Sequence, residues 1–257
     1  MGMTSTPHEH GAHPPDAVVW HDLEVGAYGA DLPLWRELAG DPRAEPILDV
    51  GAGSGRVALD LARRGHRVIA LDNDAELLAA LRERAHGLDV EAVLADARTF
   101  ELERRDLALC LVPMQTLQLL GGAPGRLAFL RRARAHLRRG GLVACAVITD
   151  IEAFDGALGD ELPSVETVRV GGRRYCSQAL SVRVDARSAR IERERRMSVR
   201  PGAATAAAGE RYVIELDRVT VPALEDDARA AGLSPAGLRS IPATAEHAGA
   251  LVVMFRA

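Results

Sequence analysis

Between residues 47 and 56 the chain reads ILDVGAGSGR, and no other stretch restricts the possible folds as much. The apolar run Ile47, Leu48 and Val50 predicts a short buried strand, and glycines at alternate positions, Gly51, Gly53 and Gly55, let the backbone turn tightly at its end. A helix is expected at once, over residues 57–64, because Val57, Ala58, Leu61 and Ala62 fall on one face and Gly65 stops it. Strand, glycine turn and helix start together make a pocket. Glycines admit a ligand close to the backbone, and the unpaired amides at the helix start favour an anionic group.

A dinucleotide fingerprint, G-x-G-x-x-G, needs glycine where Arg56 stands. Asp49 adds a carboxylate at the strand tip, which suits a ligand with an ammonium group. ILDVGAGSGR resembles the first motif of class I S-adenosylmethionine-dependent methyltransferases. A second strand, 66–71, ends in Asp72, Asn73 and Asp74, and Asp72 can accept from both hydroxyls of a ribose. Asp74 sits where it can cap a helix expected over 75–85. A third strand, 90–94, ends in Ala95, Asp96 and Ala97, where a carboxylate can accept from an adenine amino group and Ala97 can supply backbone. This third acidic tip resembles the methyltransferase family and has no place in the dinucleotide fingerprint. The resemblance implies S-adenosylmethionine as cofactor and S-adenosylhomocysteine as product. It assigns the cofactor site to Asp49, Gly51, Ala52, Gly53, Gly55, Arg56, Asp72, Asn73, Asp96, Ala97, Arg98, Leu111 and Val112.

The fourth strand, 106–112, is apolar after its first residue and ends in Pro113, Met114, Gln115 and Thr116. Ligands of open α/β sheets lie beyond the carboxyl ends of strands, so this tip faces the reacting group, with Gln115 its best-placed polar side chain. The family often carries an acidic, Asn or Pro-containing catalytic stretch here. The departure to PMQT removes any obvious base, and no catalytic residue is assigned. Gly140 and Gly141 precede a fifth strand at 142–148. Strands alternating with helices from 47 to 148 predict a doubly wound parallel sheet.

Residues 1–16 are polar, with Pro and Gly, and are expected to be a disordered tail; His8, His10 and His13 within it make no metal site. From Val18 to Tyr28 the character turns apolar and aromatic, and in the family such a segment lies over cofactor and acceptor. Trp20, His21 and Tyr28 are therefore acceptor-side candidates, though Trp20 and Tyr28 equally suit packing a helix onto the core. Residues 165–170, 175–184, 190–199 and 211–221 alternate apolar with polar, which reads as an antiparallel, half-exposed sheet placed as a lid. The Arg-rich run 190–200 reads as a solvated strand face. Pro222 starts one more helix, and 238–241 and 250–256 close the chain as an antiparallel hairpin whose loop carries His247, another acceptor-side candidate.

The expected architecture is α/β: a doubly wound, Rossmann-like seven-stranded sheet, the class I methyltransferase fold by resemblance, with an inserted antiparallel β-sheet lid. The core is expected over 17–149, the lid over 150–221 and a terminal helix and hairpin over 222–257. Thirty-two basic against 36 acidic residues give a net charge of −4, so no basic patch advertises nucleic acid. All the basic residues other than histidine are Arg, which excludes a lysine base or Schiff base. Cys110, Cys145 and Cys176 are too scattered for a disulfide framework or zinc site, and neither a membrane span nor a signal peptide is evident, so a cytoplasmic protein is expected. The implied activity is methyl transfer to a nitrogen or oxygen of a small molecule. The alternatives are binding the cofactor without transfer, another reaction of the same cofactor and, less favoured, an NAD-dependent dehydrogenase.

Overall fold

The computed structural model describes residues 14–41, 46–199, 209–244 and 247–257. Residues 1–13 of the expected tail, with its three histidines, and most of the loop at 201–209 lie outside the described residues. Helix α1 (Asp16–His21) runs into a π-helical turn, Asp22–Gly26, and α2 (Leu32–Ala39) follows. The core then alternates: β1 (Ile47–Val50), α3 (Arg56–Arg63), β2 (Val68–Asp72), α4 (Ala75–Arg84), β3 (Val90–Leu94), β4 (Leu107–Val112), α5 (Gly122–His136) and β5 (Leu137–Val147).

Five short-to-long strands come next, β6 (Phe154–Asp155), β7 (Glu166–Val170), β8 (Arg173–Val184), β9 (Ser188–Ser198) and β10 (Glu210–Asp217). Helix α6 (Val221–Ala230) and strands β11 (Ser234–Ile241) and β12 (Ala250–Arg256) finish the chain. The main sheet has seven strands in the order β11-β12-β5-β4-β1-β2-β3. Its first five strands in sequence pair in parallel, whereas β12 runs antiparallel to β5 and β11 antiparallel to β12.

Helices cover both faces of this sheet, which explains the unbroken apolar run of β4 and the mostly apolar β1 and β2. Phe129 and Leu224 bring α5 and α6 onto one face; Trp35, Leu61 and Leu81 bring α2, α3 and α4 onto the other. Asp74 caps α4 by accepting from the amides of Glu76 and Leu77.

The second sheet is wholly antiparallel, in the order β10-β9-β8-β6 with β7 also paired to β8. Strand β6 escapes the sequence pattern because two residues carry no period. Strand β10 stops at Asp217, short of the expected 221, because the chain dives back into the core there: Val219 is buried and Val221 opens α6. Gln118, 1 % exposed, joins the two places where the chain leaves and re-enters the core. Its amide nitrogen donates to Ile148 O (3.1 Å) and Asp217 O (2.9 Å), and its oxygen accepts from Ile148 N (2.8 Å). No helix among the described residues is long and apolar enough to cross a membrane.

Candidate active site

The carboxyl ends of β1 to β4 converge on one cavity of about 630 Å³, roofed by the antiparallel sheet. Its floor is built from Asp49, Gly51 and Ala52 after β1, Asp72 to Asp74 after β2, Ala95 to Arg98 after β3 and Pro113 to Thr116 after β4. Glu166 of β7, Ile191 and Arg193 of β9, and Tyr212, Ile214 and Leu216 of β10 form the roof. His21, Glu24 and Val25 close one flank; His247 and Ala248 close another.

The floor is shaped by backbone. Gly51 has φ 72° and Gly53 φ 55°, a region that side chains other than glycine's rarely tolerate. Space forbids a side chain as well: a Cβ on Gly51 would lie 2.4 Å from Thr116 Oγ1, and one on Gly53 2.4 Å from His21 Nε2. Asp72 ties the turn to the second strand tip, accepting from Gly53 N (2.7 Å) and Asp74 N (2.9 Å). Asp96 accepts from the Arg98 guanidinium (2.5 and 2.9 Å) and amide (2.8 Å), bonds that hold its carboxyl below the usual range.

Asp49 contrasts with both. It is 1 % exposed, neither carboxylate oxygen makes a hydrogen bond of good geometry, and burial pushes its pKa up to about 7 against the lowering effects of the nearby Arg56 charge and the Ala58 backbone amide. Arg56 itself is committed elsewhere: it donates to both oxygens of the fully buried Asp31 (2.5 and 2.8 Å) and to Tyr28 O (2.9 Å). That pair locks the start of α2 to the start of α3.

The flank and roof are held by side chains. Ser54 Oγ donates to Asp22 (2.5 Å) and lies 3.2 Å from His21 Nδ1, while Arg84 donates to Asp22 (2.5 Å). Burial of Asp22 opposes its charge, but these bonds hold its carboxyl well below the usual range. Two residues on, Glu24 accepts from Arg195 (2.6 and 2.8 Å) and Ser177 (2.7 Å), so the turn after α1 bridges glycine loop and lid. Arg193 donates to Ser177 Oγ (3.0 Å) and pairs with Glu166.

A model described as "Methyltransferase domain" matches residues 47–141, the stretch from β1 into β5 that makes the whole floor. Residues 47–141 carry a methyltransferase domain. It is 32 % identical over 124 residues to a probable cobalt-precorrin-6B C(15)-methyltransferase (decarboxylating) of Methanothermobacter thermautotrophicus, covering 46 % of this chain and 62 % of that one. It is 31 % identical over 154 residues to the cypemycin N-terminal methyltransferase of Streptomyces sp, covering 56 % of this chain and 62 % of that one. The chain thus spans under two thirds of the length of each of these relatives. Over the full architecture it is similar to the structure of a sugar N-methyltransferase from Streptoalloteichus sp, with TM-score 0.71, 16 % identity and 98 % coverage of both chains. An S-adenosylmethionine-bound amino pentose methyltransferase from Micromonospora echinaspora gives TM-score 0.67 at 21 % identity, covering 97 % of this chain and 100 % of that one. At these identities the likeness extends to the fold alone.

Within the methyltransferase domain the expected residues sort by position. Asp49, Gly51, Ala52, Arg56, Asp72, Asn73, Asp96, Ala97 and Arg98 border the cavity; Gly53 and Gly55 shape the turn from behind. Leu111 and Val112 do not reach it: both are wholly buried between helices on a two-sided strand, and the lining begins at Pro113. Trp20 takes the packing alternative and does not line the cavity. Its ring meets Tyr175 edge-on at 5.0 Å and lies 5.6 Å from the Arg195 guanidinium, so it packs α1 onto the lid. His21 borders the cavity over the glycine turn. Gln115 and His247 border both this cavity and a small side pocket of about 40 Å³, where Tyr28 lies with its ring 4.6 Å from that of His247. The Arg-rich run is only half solvated, because alternate residues of β9 turn inward: the Arg193 and Arg195 side chains are 16 % and 15 % exposed. Among the described residues no cluster of His, Cys, Asp or Glu has a metal-binding arrangement.

Proposed function

We propose that this protein transfers the methyl group of S-adenosylmethionine to an amine of a small molecule. The observation that carries the reading is the series of carboxylates at three successive strand tips beneath one roofed cavity. Buried Asp49 fits an ammonium group, Asp72 fits a ribose and Asp96 with Ala97 fits an adenine edge. The glycine turn lets Thr116 and His21 pack against the backbone at the cavity's edge, where a Cβ would collide with them. S-adenosylmethionine supplies an electrophilic methyl that needs no activation, so the chain's task is to align the acceptor and exclude water.

The roof supports a small acceptor, since β9 and β10 close over the floor with Ile191, Ile214 and Leu216 as an apolar wall. The likeness to a sugar N-methyltransferase and an amino pentose methyltransferase makes a nitrogen of an amino sugar the first acceptor class to test. An amine arrives protonated at neutral pH and must lose a proton before it attacks. His247 is the group proposed to take that proton beside the β4 tip. Its neighbours there are unsuited, for burial and the adjacent Asp31 push the Tyr28 phenol up, and Asp31 is engaged by Arg56 and by Trp35 Nε1 (2.7 Å).

The test is transfer of labelled methyl from S-adenosylmethionine to aminodeoxysugar nucleotides, run beside bulk RNA and a peptide library. Label in the sugar amine, reduced at least about tenfold in His247→Asn, is expected. Label in RNA or peptide would contradict the small-molecule acceptor, and cofactor binding with no transfer to any class would favour a binding role.

A further inference from the structure

The antiparallel sheet is joined to the core at one place and rests on it at another. The chain leaves the core after Val147 and returns at Val219, and Gln118 binds both crossings, donating to Ile148 O and Asp217 O and accepting from Ile148 N. Asp217 is held there a second time by the amide of Gly122. The segments beside this clamp, 148–153 and 218–220, have no helix or strand. Register sets Asp217 opposite Ser188 and Glu210 opposite Arg195, so the clamp and Arg195 lie at opposite ends of β9 and β10. The distance along the strands is about 23 Å.

At the far end the sheet rests on the strap formed by α1 and the π-helical turn, and the strap has two faces. Val18 and Asp22 face the core: Val18 is wholly buried with Leu77 and Ala80 of α4, and Asp22 accepts from Ser54 and Arg84. Asp16, Trp20 and Glu24, spaced by four, face the sheet. Asp16 accepts from Tyr175 (2.6 Å), the Trp20 ring meets that of Tyr175, and Glu24 accepts from Arg195 and Ser177 with Arg193 3.5 Å away.

These faces part at different cost. Lifting Val18 from α4 exposes apolar surface, whereas the sheet face is mostly hydrogen bonds and ion pairs whose groups water takes up on separation. We propose that the antiparallel sheet is a gate: it swings as a unit about the Gln118 clamp, and Glu24 is the latch that holds it shut over the cavity while the strap stays on the core. A ligand then enters and leaves only through the open state. Weakening the latch raises the open fraction, which speeds entry and exit alike and leaves affinity where it was. A residue that binds the ligand directly changes affinity instead, mainly through the rate of departure.

The experiment is stopped-flow binding of S-adenosylhomocysteine to the full chain, read by tryptophan fluorescence, and this arm rests on the cofactor reading above. In Glu24→Gln the association and dissociation rate constants are each expected to rise about fivefold, with Kd changed by less than about twofold. Tyr175→Phe removes one bond to Asp16, away from the cavity lining, and is expected to raise both rates about twofold. A second arm needs no ligand: alkylation of Ile191→Cys in the roof by a bulky maleimide, with Cys176 on β8, outside the lining, as reference. Adding Glu24→Gln is expected to speed alkylation of the roof thiol about fivefold and to leave Cys176 unchanged. Unchanged binding rates, faster departure alone with weakened affinity, or alkylation of the roof thiol indifferent to Glu24→Gln would overturn the gate. Failure of S-adenosylhomocysteine to bind the native chain would remove the cofactor reading and leave the alkylation arm to decide the gate.

Discussion

The floor and the roof of the cavity are built by different physics. The floor is backbone: glycine φ angles, strand ends, and amides that reach Asp72 and Asp96, all fixed by a sheet buried on both faces. The roof is side chains: Glu24 and Glu166 set against Arg193 and Arg195, with Ser177 between, on strands of an antiparallel sheet. A floor of this kind presents one geometry to one ligand. A roof of ion pairs can be re-cut by a few substitutions without touching the floor, and that division suits a shared cofactor below and a particular acceptor above.

Three substitutions sharpen the contrast. The largest effect is expected at the foundation of the floor, where Arg56→Met leaves the buried Asp31 carboxylate uncompensated and costs about 3–5 kcal/mol of stability, read by denaturant unfolding. A second falls at Asp49, whose pKa is raised on folding from the ordinary 3.8 to about 7. The folded state therefore binds the extra proton, and this group's contribution is full below pH 4 and lost as pH rises through 7. The native empty protein is expected to lose about 2 kcal/mol from this group between pH 5.5 and 8, a slope that Asp49→Asn abolishes in unfolding measured across that range. The smallest effect is expected in the roof. Glu24→Gln keeps an acceptor for Ser177 but loses charge toward Arg195, costing about 1 kcal/mol and shifting acceptor KM more than cofactor affinity.

The same contrast explains what could be read from the residues alone. Glycine spacing, apolar runs and acidic strand tips are local signals, and the Asp49, Gly51, Asp72 and Asp96 they single out line one cavity. The end of the apolar run in β4 is not local, because nothing in DLALCLV marks where burial gives way to lining; Leu111 and Val112 stay inside the sheet. The roof depends on contacts across the chain, such as Glu24 with Arg195, 171 positions apart, and no periodicity joins them. Alternating charges along β9 suggested a solvated face; period-two geometry sends Arg193 and Arg195 inward and leaves the Arg190 and Arg196 side chains 45 % and 42 % exposed. Trp20 fits either role by composition, and only Tyr175 beside it decides for packing. Gln118 lies in a short 3₁₀ turn, Thr116–Leu119, with no motif to flag it, although it pins both ends of the lid.

The division of labour is tested most directly by S-adenosylhomocysteine affinity in one floor variant and one roof variant, Asp72→Ala and Arg193→Met. Loss of at least about tenfold in the first and a change within about threefold in the second are expected, since a hydrogen bond to a charged group is worth about 1.5–3 kcal/mol. Equal losses in both, or undiminished binding in Asp72→Ala, would contradict a cofactor seated on the floor.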